Sequence, residues 1–392
     1  MREARQLGHV LHLIESYDGS VPLHRQLSQY FTQHRNMGSR DRRITRSLIY
    51  PYFRLGAALP QRTIVERLAA GNFLCATPVD EVVSYLYGQA QLPVPTTEHS
   101  LEERCDLLRL TFPEFKEEDL VPFENEISPA VDRLQFRRSV IIQPYVWIRV
   151  RQNYVKDVAD ELMAKGLKYH VDQKRPLAWA FAPSEKLDDL EVYQKGYFEI
   201  QDISSQCIAD YVELVPGETW WDTCAASGGK SLLLLEKEPT LHLTATDIRQ
   251  SILVNYVNRL NRAGYDVVEV RQADLSTSPV YAEHSFDGIL ADVPCSGSGT
   301  WARTPEMLTS LKSDEIREHF QPLQRAILKH VTPTLQKGGR LIFATCSVFS
   351  AENEENVRFI QEEIGLEFVQ SNYISGSSNR GDTLFVAVFV KT

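Results

Sequence analysis

The sequence predicts an α/β fold. Its C-terminal half reads as a doubly wound sheet of mostly parallel strands, behind a small α/β module and a helical N-terminal region. Three observations carry this. From Gln201 onward, short β-like apolar runs alternate with helical segments. Residues 1 to about 90 show helical spacing with no such runs, and a glycine-rich strand-to-helix turn follows the first β-like run of the C-terminal half.

Taken in order, Leu7, Val10, Leu11 and Ile14 follow helical spacing. Ser20 is expected to cap a second helix, with Pro22 in its first turn and Leu23, Leu27, Tyr30 and Phe31 on one face. A third helix, Ile44 to Phe53, follows the basic turn from His34 to Arg43. Residues 1–91 thus read as a helical domain. Residues 92–130 mix Pro93, Pro95, Pro113 and Pro122 with Glu114, Glu117, Glu118, Asp119, Glu124 and Glu126, which reads as an acidic linker with a helix at Leu101 to Leu110. In residues 131–200, Val146 to Val150 and Trp179 to Phe181 are strand-like and Val155 to Lys165 is helical, a small α/β domain. Residues 201–392 hold five β-like runs: Trp220-Trp221, Leu241 to Thr246, Val267 to Val270, Phe286 to Ala291 and Leu341 to Thr345. Two further runs, Leu366 to Val369 and Leu384 to Val390, have no helix between them and are expected to pair antiparallel at an edge.

Composition narrows the function. With 43% hydrophobic and 24% charged residues among 392, the chain is globular rather than disordered. No apolar run approaches the ~18–20 residues that cross a bilayer, and Met1-Arg2-Glu3-Ala4-Arg5 does not open a secretory signal. Six scattered cysteines form neither a disulfide framework nor a CxxC metal pair, so a cytoplasmic protein with free thiols and no metal is expected. Residues 1–70 hold 11 arginines against five acids, a net of +6 in a chain of net charge −10, which leaves −16 for the remainder. That asymmetry suggests that one part meets a polyanion.

After the first run of the sheet comes Asp222-Thr223-Cys224-Ala225-Ala226-Ser227-Gly228-Gly229-Lys230-Ser231. Small residues at such a turn let the backbone approach a ligand closely, with helix N–H groups pointing at it. Asp247, at the end of the next run, is placed to accept from ribose hydroxyls. Neither GxxxxGK[ST] nor GxGxxG is present, which excludes a Walker loop and weakens a nicotinamide cofactor. The fourth run ends in Asp292-Val293-Pro294-Cys295-Ser296-Gly297-Ser298-Gly299-Thr300, and the fifth in Ala344-Thr345-Cys346-Ser347. If these two strands are neighbours, Cys295 and Cys346 emerge together at the C-terminal edge of the sheet, beside Asp292. Which thiol would attack a substrate is not told by this placement. Cys75, Cys105 and Cys207 read as structural, and Glu352-Asn353-Glu354 as the cap of the next helix.

The segments DTCAASGGK, DVPCSGSGT and ATCSVFSAENE resemble the signature motifs of bacterial Sun/Fmu-type (rRNA methyltransferase B) RNA (cytosine-5)-methyltransferases. Residues 18–20 and 38–43 resemble that group's NusB-like helical RNA-binding domain, and residues 143–202 its small α/β domain. Ser227 stands where the family commonly has proline, and Ala302 and Thr304 depart from its basic-polar stretch before Pro305-Glu306.

The resemblance implies a Rossmann-like domain that binds S-adenosyl-L-methionine through Cys224, Ala225, Ala226, Ser227, Gly228, Gly229, Lys230, Asp247, Asp274 and Asp292. It also implies that Cys346 adds to cytosine carbon 6, that Asp292 donates to ring nitrogen 3, and that Cys295 assists elimination. The expected partner is RNA, ribosomal (16S) or else transfer RNA, met by a monomer through Arg35, Arg40, Arg42, Arg43, Arg46 and Arg303. Two other readings compete. An exocyclic-amine methyltransferase would favour an Asn/Asp-Pro-Pro-aromatic motif, against which Asp292-Val293-Pro294-Cys295 argues, and a non-catalytic RNA-binding protein would have no use for both thiols.

Overall fold

The structure, a computed structural model, describes residues 2–94, 99–266, 269–281 and 283–392. Pro95 of the acidic stretch and residues 267–268 of the third expected run lie outside the described residues. The chain divides into two compact units. One comprises residues 1–127, 132–143 and 301–312, and the other residues 128–131, 144–300 and 313–392.

The first unit is helical, with helices Arg2–Glu15, Leu23–Gln33, Ser39–Arg54, Ile64–Leu74, Glu81–Ala90, Leu101–Thr111 and Arg133–Ile141. Their apolar stripes supply one core that includes Val10, Leu13, Leu27, Leu48, Phe73 and Leu86. The helix at Leu23 is not capped by Ser20. Its N-cap is Pro22, which has no side chain to offer, and the backbone N–H of Leu23 donates instead to Glu306 Oε1 at 3.2 Å. Glu306 is buried in the 301–312 segment, which groups with the helical unit. Thr63 and Ser100 form capping boxes with Glu66 and Glu103, and Asp80 caps the helix at Glu81.

The acidic stretch contributes Cys105, Leu108, Phe112, Phe115 and Leu120 to the helical core. Its acids pair instead with basic side chains: Glu114 with Arg62 at 2.6 Å and Glu117 with Arg138 at 2.9 Å.

In the second unit, strands β1 (Val146–Val150), β2 (Tyr169–Val171), β3 (Ala178–Phe181) and β4 (Phe198–Ile200) form an antiparallel sheet of order β2-β3-β1-β4. A larger sheet contains β5 (Thr219–Asp222), β6 (His242–Asp247), β7 (Glu269–Gln272), β8 (Phe286–Asp292), β9 (Leu335–Thr345), β10 (Glu367–Ser375) and β11 (Thr383–Val390). Its order is β10-β11-β9-β8-β5-β6-β7. The pairs from β9 through β8, β5 and β6 to β7 are parallel, and β11 pairs antiparallel with both β9 and β10. This is the predicted α/β architecture, with the antiparallel pair at one edge. The two-residue period of β5 sends Trp220 into the core on one face of the sheet and Trp221 into the core on the other. Gly288 leaves room for Trp220, because a Cβ there would lie 2.2 Å from the indole. Among the described residues no helix is long and apolar enough to cross a membrane.

Candidate functional site

The site lies where parallel strands β6, β5, β8 and β9 end, at the C-terminal edge of the sheet. The loop after β5 turns through Ala226 at φ +47° and Gly228 at φ +83° before the helix Gly229–Lys237 begins. Gly228 is required twice over. Its φ is left-handed, and a Cβ would sit 2.8 Å from the Tyr256 ring. Ala226 holds a left-handed conformation that non-glycine residues rarely adopt, and its N–H donates to Asp247 Oδ2 at 3.0 Å. Ser227, the departure from the family's proline, accepts from Arg259 Nη1 at 2.9 Å. Arg259 is held in turn by the buried carboxylate of Glu199, 2.7 Å away.

A cavity of about 180 Å³ is lined by Gln201, Ser205, Asp222, Cys224, Ala225, Ala226, Ser227, Gly229, Lys230 and Asp292. Asp222 is buried and accepts from Ser231 Oγ at 2.5 Å, while its Oδ1 has no hydrogen-bond partner. Burial pushes its carboxyl up to about 7, against the lowering effect of the Ser231 hydrogen bond. A buried acceptor without a donor, facing a cavity, marks where a cationic or N–H group of a ligand would sit. Asp247 accepts from the backbone and guanidinium of Arg249, at 2.9 and 3.0 Å on Oδ1. Asp274 lies outside the cavity lining, where its Oδ1 closes a turn by accepting from Ser276 N and Oγ.

Neighbouring strands β8 and β9 bring the two cysteines together. Their register pairs Asp292 with Ala344, so the loops holding Cys295 and Cys346 leave the sheet side by side. The thiol sulfurs are 3.1 Å apart, and the Cys346 N–H donates to Cys295 Sγ at 3.3 Å. The hydrogen bond to Cys346 and burial together hold the Cys295 thiol well above the usual thiol range. Gly299 permits this approach. Its N–H donates to Cys346 O at 2.9 Å, and a Cβ there would collide with the Thr383 carbonyl.

Lys230 donates to Asp292 Oδ2 at 2.6 Å and interacts electrostatically with Cys346. Burial would lower the Lys230 ammonium, yet Asp292 outweighs it and raises it, so the lysine stays charged beside the thiols. Cys224 is pushed up by burial and carries no partner suited to activation. Cys75 and Cys105, each pushed up by burial to about 11, and Cys207, raised likewise, belong to packing.

The sequence reading did not single out Asp222, Gln201 or Arg249 as site residues. Asp222 had a signal, an acid ending an apolar strand, whereas Gln201 and Arg249 had none. Glu352 was assigned to a helix cap and does not serve as one. The N-cap of the helix Glu354–Phe359 is Asn353, without a side-chain cap bond, and Glu352 is wholly buried under the cysteine loops.

The arginines of the basic turn lie in the helical unit. Arg35 and Arg43 are exposed, Arg40 reaches Glu81 at 4.0 Å, and Arg42 and Arg46 lie over the Phe31 ring at 5.8 and 5.0 Å. Arg303, half-buried, belongs to the same unit. No cluster of His, Cys, Asp or Glu among the described residues could hold a metal ion.

Comparison with known proteins places this geometry. The family described as 16S rRNA methyltransferase RsmB/F matches residues 209–384. Ribosomal RNA small subunit methyltransferase B of Yersinia enterocolitica is 31% identical over 214 residues, 52% of this chain and 49% of the relative. Its counterpart in Cronobacter sakazakii is 31% identical over 260 residues, 64% of this chain and 60% of the relative. The chain therefore spans about half to three-fifths of the curated relatives that it matches. Among solved structures, that of PH0851 superposes with a TM-score of 0.70 at 22% identity, covering 99% of this chain and 97% of that one. NSun6 from Pyrococcus horikoshii, solved with SFG, gives a TM-score of 0.57 at 18% identity over 66% of this chain and 93% of its own. At these identities the likeness is one of fold.

Proposed function

We propose that the chain, whose residues 209–384 match the family described as 16S rRNA methyltransferase RsmB/F, is an S-adenosyl-L-methionine-dependent methyltransferase that makes 5-methylcytosine in small-subunit ribosomal RNA. The observation that carries this is the pair of thiols in contact at the ends of adjacent parallel strands, beside a Lys–Asp pair.

The cavity fits the cofactor. The orphaned Oδ1 of Asp222 suits its ammonium group, and Asp247 suits the ribose hydroxyls once Arg249 gives way. At about 180 Å³ the cavity is below the ~300–1,000 Å³ of small-molecule sites, so it would take only part of the cofactor. When bound, the cofactor supplies an electrophilic methyl group.

The protein's part is to make cytosine carbon 5 nucleophilic. Cys346 adds its sulfur to carbon 6, which breaks the 5,6 double bond and moves its electrons toward carbon 5 and the ring. The cationic Lys230 interacts electrostatically with Cys346. Asp292, held by Lys230, faces ring nitrogen 3, and the pair together holds the proton that disperses charge there. For release, the nitrogen 3 proton returns to the Lys230–Asp292 pair, the carbon 5 proton leaves to water and its electron pair restores the double bond. The Cys346 sulfur then departs as a thiolate, and the Cys295 thiol, already in contact, donates to it. The target carbon is shielded in a stacked helix, so the substrate is an unpaired or flipped cytosine.

Mapping of 5-methylcytosine in total RNA, with and without the gene, tests the reading. Loss of one site in small-subunit ribosomal RNA is expected. Loss in transfer RNA instead would replace the target while keeping the chemistry. No change at any site would favour a non-catalytic RNA-binding protein.

A further inference from the structure

Directly beneath the thiols lies a carboxylate to which the chemistry above gives no part. Glu352 is wholly buried, and donors from three segments converge on it. Its Oε1 accepts from Ser296 N at 2.9 Å and from Gln324 Nε2 at 3.0 Å. Its Oε2 accepts from the hydroxyls of Ser296 and Ser347, each at 2.5 Å. Ser296 follows Cys295 and Ser347 follows Cys346, so one carboxylate fastens the residue behind each thiol.

The two loops do not depend on it equally. The Cys346 loop has anchors of its own. Asn353 donates to Ser347 O at 2.8 Å and accepts from Thr345 Oγ1 at 2.6 Å, and β9 is paired on both sides by β8 and β11. The far end of the Cys295 loop is tied by Gly299 N–H, which donates to Cys346 O at 2.9 Å, and by Ser298 Oγ, which accepts from Val348 N at 2.9 Å. At Ser296, directly behind the thiol, two bonds come from Glu352. A further bond, to Pro294 O, comes from Gln324, whose amide also donates to Glu352.

Resting on the thiol chemistry above, we propose that Glu352 is a positioning residue that holds Cys295 against Cys346 and thereby serves the elimination step rather than the attack. Removing it loosens the Ser296 end of the Cys295 loop and leaves the Cys346 loop, held by Asn353, in place. A displacement of about 1 Å at a reacting group costs ~100-fold, and here that cost falls on release.

The test compares Glu352→Ala, Glu352→Gln and Cys295→Ala with the wild-type chain on small-subunit ribosomal RNA, after melting curves and cofactor titration. For folded Glu352→Ala, steady-state turnover should fall by ~100-fold while methyl transfer in the first turnover is largely kept. A denaturant-resistant protein–RNA band should accumulate, as with Cys295→Ala, and vanish when Cys346→Ala is added. Glu352→Gln should recover most of the turnover, because the two serine hydroxyls can rotate to accept from its amide. If first-turnover transfer and steady-state turnover fall together without a band, the positioning role is overturned. Should Glu352→Ala not fold, Ser296→Ala takes its place. A selective release defect then supports the proposal, and unaltered turnover overturns it. If Cys295→Ala itself traps nothing and Cys346→Ala still transfers methyl groups, the thiol chemistry has failed, a result separable from any behaviour of Glu352.

Discussion

The two halves of the site are held together by different kinds of bond. Beside the cavity, the buried Asp247 is tied by Arg249, whose side chain is 60% exposed and can give way to a ligand. Around the thiols, Ser296, Ser298, Ser347, Glu352 and Asn353 are all buried, and they bond to one another without a cation. Exposed ion pairs contribute ~0–1 kcal/mol and exchange readily. A satisfied buried network fixes geometry, because leaving any member unpaired is costly. The cavity is thus suited to exchanging ligands at every turnover, and the thiol loops to remaining in one geometry.

The sharpest way to break this contrast is to remove the thiols singly. Cys346→Ala should abolish methylation and leave no covalent protein–RNA adduct. Cys295→Ala should accumulate an adduct that survives denaturant and disappears in the double variant. Reversal of the two phenotypes on a denaturing gel would exchange the assigned roles, and full activity in both variants would reduce the thiols to packing.

Asp222 gives the next largest effect. Burial raises its folded-state value to about 7, so between pH ~4 and 7 the folded chain keeps a proton that the unfolded chain releases. Stability should fall across that window as pH rises, by as much as about 4 kcal/mol, and not further above it. Asp222→Asn carries no such slope, so its melting temperature should gain on that of the wild type from pH 4 to 7. Parallel curves would mean that the carboxyl is not isolated from water.

Asp247→Ala should weaken S-adenosyl-L-methionine binding by ~1.5–3 kcal/mol, about 10–150-fold in calorimetry. Arg249→Ala sharpens this. If the guanidinium competes for the carboxylate, its loss should tighten binding by up to ~5-fold, the worth of an exposed pair. Weaker binding would make Arg249 part of the cofactor site instead.

The smallest effect is expected in the helical unit. Replacing Arg40, Arg42 and Arg43 together should weaken RNA binding and reduce the slope of log affinity against log salt by ~2, at ~0.7 per phosphate on a single strand. Cofactor affinity should not change. Arg42 also covers the Phe31 ring, so a melting curve has to accompany the titration.

What the sequence made legible was local. Glycines at a strand-to-helix turn, an acid ending the next strand and cysteines just past two strand ends all announce themselves within ten residues or so. The alternation of runs was enough for the sheet and its antiparallel edge. The bonds that hold the thiols were not legible, because Glu352 meets Ser296 across 56 residues and no spacing rule links them. Pro22 at a helix start was expected inside the first turn, yet the N–H that needs a partner finds it in Glu306, 283 residues on from Leu23. Nor did the proline-rich, acidic composition of residues 92–130 show that Phe112 and Phe115 are core, since the acids that suggested a solvated linker are matched by Arg62 and Arg138.

The place of β11 has a bearing on how the protein is made. It follows every other strand of this sheet in sequence, yet it lies inside the sheet, directly against the strand that leads into Cys346. While the chain is being synthesised, β9 keeps an open edge of unpaired backbone groups until residues 383–390 arrive. That edge carries Leu341, Ile342 and Phe343, a run suited to pairing with another chain. The Cys346 loop therefore gains its final support after nearly every other part of the sheet, and until then the open edge of β9 is exposed to aggregation.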